Sequence, residues 1–210
     1  MIPRLYDQSV TEQDTGDVAA FVLAGGKSSR MGKDKAFLKL GKETLLERAL
    51  RLAHEITPDV RIVGERAKFA AFAAVLEDVY RDRGPLGGIH AALQGSSAAF
   101  NLMVAVDVPF VEARFLHYLV GEARASDAMA TVAQVCGGFQ PLCAVYRREF
   151  AQAADHALRA GKNKIDALFA MVQTRVVTET DLTGLGFSPE MFGNLNTPED
   201  WERAKKRVLA

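Results

Sequence analysis

A run of apolar residues, Val18-Ala-Ala-Phe-Val-Leu23, empties directly into the segment L-A-G-G-K-S-S-R-M-G-K-D-K that ends at Lys35. A strand that ends in a glycine-rich loop studded with cations is a way to hold a triphosphate. Small residues let main-chain N–H groups approach phosphate oxygens, and Lys27, Arg30, Lys33 and Lys35 offset their charge. Two familiar phosphate loops do not fit. Gly26 and Gly32 are one residue too far apart for G-x-x-x-x-G-K-[ST], and Asp34 stands where that loop needs a hydroxyl. Gly25-Gly26-Lys27 breaks the spacing of G-x-G-x-x-G. The connection from Leu23 to Glu43 is long, since strand–helix links typically run roughly 2–6 residues and longer ones are usually functional or disordered.

Strand and helix patterns alternate after the loop. Leu45, Leu46, Ala49, Leu50 and Ala53 recur on one helical face over 43–53. A short strand is expected over 60–64, a helix over 67–74, and a strand over 74–78 that ends in Asp78. Arg83-Gly-Pro-Leu-Gly-Gly-Ile89 reads as a turn feeding a helix around 89–94. Leu102-Met-Val-Ala-Val106 is apolar throughout, as in a buried parallel strand, and it ends at Asp107. Phe115, Leu116, Leu119, Val120 and Ala123 mark the next helix. Such alternation predicts an α/β fold with a mostly parallel central sheet and helices on both faces. Ligands bind beyond the carboxyl ends of such strands, so the glycine loop, Asp78 and Asp107 are expected on one rim.

The second half is less regular. Strands are expected over 128–135 and 139–146, joined by a hairpin or wider turn at Cys136-Gly-Gly138. Helices follow over 148–159 and 165–171, then a strand over 172–178. Thr197 reads as the N-cap of a last helix that begins at Pro198 and packs through Trp201, Ala204 and Val208. Residues 1–17 are polar and aperiodic and read as a mobile tail, leaving one domain over 18–210.

Among the 210 residues, 26 Lys and Arg balance 26 Asp and Glu, which argues against a broad nucleic-acid footprint. Cys136 and Cys143 form no C-x-x-C pair, and His54, His90, His117 and His156 are scattered, so two reduced thiols are expected rather than a zinc site. No apolar run reaches membrane-spanning length and the first residues lack the apolar region of a signal peptide, so no membrane partner and a cytoplasmic location are expected. Asp107, a lone carboxylate after a buried strand, can hold Mg²⁺, or it can cap the helix that starts near Glu112 or end a turn before Pro109. Asn194 and Asn196 supply both donors and acceptors, for a ligand or for turn chemistry before the last helix.

Together the segments L-A-G-G-K-S-S-R-M-G-K-D-K, G-P-L-G-G, V-D-V-P-F and N-L-N-T-P-E-D resemble the molybdenum cofactor guanylyltransferases, from about Val18 to about Arg207. That resemblance implies a Rossmann-like three-layer nucleotidyltransferase fold and the transfer of GMP from GTP to the terminal phosphate of molybdopterin, with Mg²⁺ as cofactor and pyrophosphate released. It implies that Leu23, Ala24 and Gly25 line the guanine with main-chain groups, and that Gly26, Arg30 and Lys35 meet the triphosphate. Asp78 falls at a nucleotide-contacting position, Asp107 at the magnesium position, and Asn194 and Asn196 on the pterin side. Arg30, Lys35 and Asp107 are thereby the expected catalytic set. The implied partners are GTP, molybdopterin, and other cofactor-biosynthesis or acceptor proteins. Val106 stands where the family often has cysteine, and Gln140 where histidine is common before the proline. Three alternatives stay open: cytidylyl transfer to molybdopterin, another nucleotidyl transfer on the same fold, and a non-catalytic nucleotide-binding module. The Gly25-Gly26 pair favours a purine, because the cytidylyl relatives tend to carry a bulkier small residue there. The Asn-x-Asn-Thr-Pro ending argues against a sugar-phosphate substrate, and Asp107 beside the cationic loop argues against a mere binding module.

Overall fold

Strand β1 (Val18–Leu23) is buried along its whole length, as a central strand must be. The computed structural model describes residues 16–25, 34–80 and 83–209. A 3-10 turn at Lys35–Phe37 leads to a small hairpin, β2 (Lys39–Leu40) with β3 (Glu43–Thr44), and then to α1 (Leu45–His54). There follow β4 (Val60–Val63), α2 (Arg66–Phe69), β5 (Ala74–Leu76), α3 (Pro85–Gln94), β6 (Phe100–Ala105) and α4 (Ala113–Arg124). The chain continues through β7 (Ala130–Val135), β8 (Gly138–Arg147), α5 (Phe150–Arg159), α6 (Asp166–Phe169), β9 (Thr174–Thr178), α7 (Glu179–Gly184), a 3-10 turn at Pro189–Phe192, and α8 (Pro198–Leu209).

Seven strands form one sheet in the order β5-β4-β1-β6-β8-β7-β9. Every pairing in it is parallel except the two made by β8. Strand alternation sorts side chains onto two faces. Val18, Ala20 and Val22 of β1, with Leu102 and Val104 of β6 and Val145 of β8, pack against α1 and α4 through Leu46, Ala49, Phe115 and Leu119. Ala19, Phe21 and Leu23, with Met103, Ala144 and Tyr146, pack instead against α3 and α5 through Ile89, Leu93, Phe150 and Ala154. The expected three-layer α/β arrangement is therefore built from the period-2 pattern of the strands and the helical periods between them.

Local chemistry places the boundaries. Thr44 caps α1: its hydroxyl accepts from the Glu47 N–H at 3.1 Å, and the Glu47 carboxylate accepts from the Thr44 N–H at 2.8 Å. The Cys136-Gly137 turn has φ of 50° and 76°, and Val135 pairs directly with Gly138. It is thus a tight two-residue hairpin rather than a wider turn, with both central residues in the left-handed region.

The helix expected over 67–74 is only the short α2, because Ala74 already pairs with Arg61 of β4. Likewise α6 stops at Phe169, and the exposed Met171 lies beyond it. The β2–β3 hairpin and α7 escape a periodicity reading because two-residue strands and a six-residue helix are too short to show a period. Asp17 is tied to the fold: its carboxylate pairs with Arg124 at 2.6 Å and its carbonyl accepts from the Phe100 N–H at 3.0 Å. The rest of the expected tail lies outside the described residues, apart from the exposed Gly16. Among the described residues no helix is long and apolar enough to cross a membrane.

Candidate active site

Lys35, Asp107 and Asn196 come from three distant parts of the chain and meet at the carboxyl ends of β1 and β6. The Lys35 ammonium donates to Asn196 Oδ1 at 2.7 Å and lies 3.8 Å from Asp107 Oδ2. Each arm of this cluster is held by its own local device. Asp34 caps the 3-10 turn by accepting from the Ala36 N–H at 3.2 Å, and Ala36 is buried in the core, which fixes the base of Lys35. Asp107 lies two residues beyond β6, after the buried Val106, and its carbonyl accepts from the Leu195 N–H at 2.9 Å. Arg48 of α1 donates to the Pro109 carbonyl at 2.6 Å and so braces the loop that carries Asp107.

Asn196 is set by Asp200, whose carboxylate accepts from the Asn196 and Thr197 N–H groups at 3.0 and 2.9 Å. The Asn196 N–H comes first among the interactions that draw the Asp200 carboxyl down to about 2. Thr197 accepts in return from the Asp200 N–H at 3.1 Å, as expected of the N-cap of α8. Leu195 is buried, and the exposed Asn194 and Asn196 flank it. Burial pushes the Asp107 carboxyl above its ordinary range, and the Lys35 ammonium pulls it partly back. A carboxylate in that condition is short of cationic partners.

At the end of β1 the Leu23 carbonyl accepts from the Val106 N–H at 3.3 Å, and the Ala24 N–H donates to the Val63 carbonyl at 3.1 Å. Those bonds occupy two of the main-chain groups expected to line the base. A Cβ built on Gly25 would make only ordinary contacts, 3.8 Å from the Val63 carbonyl oxygen and 3.9 Å from the Gly64 Cα. The fold does not itself require glycine at position 25.

Asp78 lies two residues beyond β5, on the same rim. Three strand spacings separate β5 from β6, about 14 Å, so Asp78 stands apart from the Lys35–Asp107 pair. A Cβ on Gly87, in the first turn of α3, would stand 3.1 Å from Asp78 Oδ1, so that glycine is what lets the carboxylate approach the helix. Gly84 precedes the helix at φ 67°, and Pro85 takes its first position. The G-P-L-G-G segment is thus a helix start shaped around Asp78.

Asp78 Oδ1 is buried and without a partner among the described residues, and burial pushes the carboxyl up to about 6. The sign of its effect on stability follows. Between about 4 and about 6 the unfolded chain has lost this proton and the folded chain keeps it, so stability falls as pH rises through that window. Asp78→Asn is therefore expected to be more stable than the parent at pH 7, by on the order of 1–2 kcal/mol, and equal to it near pH 4. Urea unfolding at the two pH values checks this, and a difference that is the same at both excludes titration of the Asp78 carboxyl as its source.

A family model described as "MobA-like NTP transferase domain" matches residues 20–176, from β1 into β9. The chain belongs to this family. A relative from Pelotomaculum thermopropionicum, named "Probable molybdenum cofactor guanylyltransferase", is 36% identical over 90% of this chain and 91% of its own. A "Molybdenum cofactor guanylyltransferase" from Syntrophotalea carbinolica is 32% identical, again over 90% of this chain and 91% of its own. Among solved structures, molybdopterin-guanine dinucleotide biosynthesis protein A from Archaeoglobus fulgidus is 25% identical and superposes with a TM-score of 0.80, covering 91% of this chain and 98% of that one.

Within the MobA-like frame, Leu23, Ala24, Gly25, Lys35, Asp78, Asp107, Asn194 and Asn196 all lie on or beside the expected rim, whereas Gly26 and Arg30 lie outside the described residues. Asp107 does not cap α4: that helix has Glu112 at its N-cap position. Sequence reasoning missed Asp34, Arg48 and Asp200. Two of these had a signal, since Asp34 precedes the Lys-Ala-Phe turn and Asp200 stands three residues after Thr197. Arg48 had none, because its partner is a main-chain carbonyl 61 residues away.

Proposed function

We propose that this MobA-like chain transfers GMP from GTP to the terminal phosphate of molybdopterin, releasing pyrophosphate. The observation that carries the reading is the meeting of Lys35, Asp107 and Asn196 at the strand-end rim. There a cation, a half-buried carboxylate and an amide converge where a nucleotidyl group would sit. The names and near-complete coverage of the relatives support the choice of substrates.

The pterin phosphate is already a nucleophile at neutral pH, so no covalent enzyme intermediate is required. Its oxygen attacks the α-phosphorus of GTP, and the bond from that phosphorus to the bridging oxygen breaks, with the electron pair leaving on pyrophosphate. The enzyme's part is alignment and stabilisation of developing negative charge. Lys35 supplies a point charge beside the triphosphate, and Arg30 supplies a forked one. Asn194 and Asn196 orient the pterin substrate from the C-terminal side.

The donor set suits Mg²⁺. Asp107 is a single, mostly enclosed carboxylate with few partners, and magnesium commonly takes one or two carboxylates and completes its shell with phosphate oxygens and water. Among the described residues no group of three His, Cys, Asp or Glu side chains could form an all-protein cage. Asp107 would hold the ion, which when bound neutralises phosphate charge. We place the enzyme in the cytoplasm, in keeping with its two free thiols, Cys136 and Cys143.

The test is pyrophosphate release from purified protein with molybdopterin, Mg²⁺ and either GTP or CTP. Release with GTP at least tenfold faster than with CTP is the expected outcome, because glycine at position 25 puts no side chain beside the larger base. The reverse preference assigns the chain to cytidylyl transfer, and nucleotide binding without pyrophosphate release reduces it to a binding module.

A further inference from the structure

Asp78 is carried on a short segment outside regular structure, yet that segment is gripped from two helices. From α3, Gly87 admits it closely: a Cβ there would stand 3.0 Å from the Tyr80 carbonyl oxygen as well as 3.1 Å from Asp78 Oδ1. From α5, Asp155 holds it: Asp155 Oδ1 accepts from the Tyr80 hydroxyl at 2.6 Å. The other oxygen of the same carboxylate pairs with Arg159, one helical turn on, at 2.7 Å. The Tyr80 ring also meets the buried His90 ring of α3 edge-on, with centroids 5.2 Å apart. His90 Nε2 lies 3.7 Å from Asp155 Oδ1, beyond hydrogen-bond reach, and burial lowers the imidazole's pKa. The Tyr80 phenol joins the segment to α5. None of these side chains belongs to the Lys35–Asp107 cluster, and core packing alone does not require a tyrosine hydroxyl aimed at a carboxylate.

We infer that Tyr80 and Asp155 are positioning residues that fix Asp78 on the rim and thereby set affinity for the nucleotide. This deepens the proposed function and rests on its assignment of Asp78 to the nucleotide. The hydroxyl-to-carboxylate bond pins a segment that would otherwise have to be ordered each time the nucleotide binds, so its loss should weaken binding without touching the chemical step.

The experiment compares the parent with Tyr80→Phe, Asp155→Ala, Asp155→Asn and Asp78→Ala. GTP affinity is measured by calorimetry, and KM and kcat by pyrophosphate release. Tyr80→Phe keeps the ring against His90 and removes only the hydroxyl. It is expected to weaken GTP binding about tenfold while kcat and the KM for molybdopterin stay within about twofold of the parent. Asp155→Ala should match it, and the double variant should be no worse than either alone. Asp155→Asn keeps an acceptor oxygen for the phenol and should recover most of the affinity.

Parent-like GTP affinity in Tyr80→Phe beside a weakened Asp78→Ala overturns the brace and leaves the role of Asp78 standing. Parent-like affinity in Asp78→Ala overturns the nucleotide role of Asp78, and the inference with it. A parent that binds CTP in place of GTP overturns the guanylyl reading alone, and the same tenfold ratio, read with CTP, then decides the brace.

Discussion

Asp107→Ala is expected to lower turnover by about a thousandfold or more while leaving the fold intact. The expected magnitude follows from removing the side chain that would hold the metal at the point where charge develops, in a site partly closed to water. The fold should survive because the carboxylate contributes little to it. The main chain of residue 107, not its side chain, bonds to Leu195. The remaining ion pair, at 3.8 Å to a partly exposed Lys35, is worth at most about 1 kcal/mol. Circular dichroism and urea unfolding should match the parent, and GTP-dependent pyrophosphate release should vanish. Full turnover of the variant in magnesium would refute the metal role and leave Asp107 as a counter-ion for Lys35.

Lys35→Ala should reduce kcat at least tenfold, and about a hundredfold if its contact forms mainly in the transition state. Two roles have to be separated, because the ammonium also holds Asn196 at 2.7 Å. A lysine that only props up Asn196 would make Lys35→Ala and Asn196→Ala alike, each raising the KM for molybdopterin with kcat preserved. A lysine that serves the triphosphate makes them differ: Lys35→Ala loses kcat, and Asn196→Ala loses mainly affinity for the pterin substrate. Lys35→Arg should fall between, since a planar fork cannot reproduce a compact point charge beside Asp107.

The strands and long helices were legible because each carries a period. β1 and β6 are buried throughout and read as apolar runs; α1 and α4 carry one apolar face each. The extents of α2 and α6 were not legible, and the β2–β3 hairpin was not legible at all, since these short elements are set by what they pack against. Gly84 and Gly87 stood out in the sequence as a motif. Their separate duties, one in a left-handed conformation and one in close approach to Asp78 and Tyr80, depend on coordinates.

The chain's own residue order was enough for the mostly parallel α/β architecture and for Asp78 and Asp107 just beyond strand ends, because periodicity and turn chemistry are local properties. Contact between Lys35 and Asn196, 161 positions apart, is of another kind, as is the grip of Asp155 on Tyr80 across 75. Which polar side chains share a site is decided by sheet order and helix packing, and those come from burial of the whole core at once rather than from any one segment.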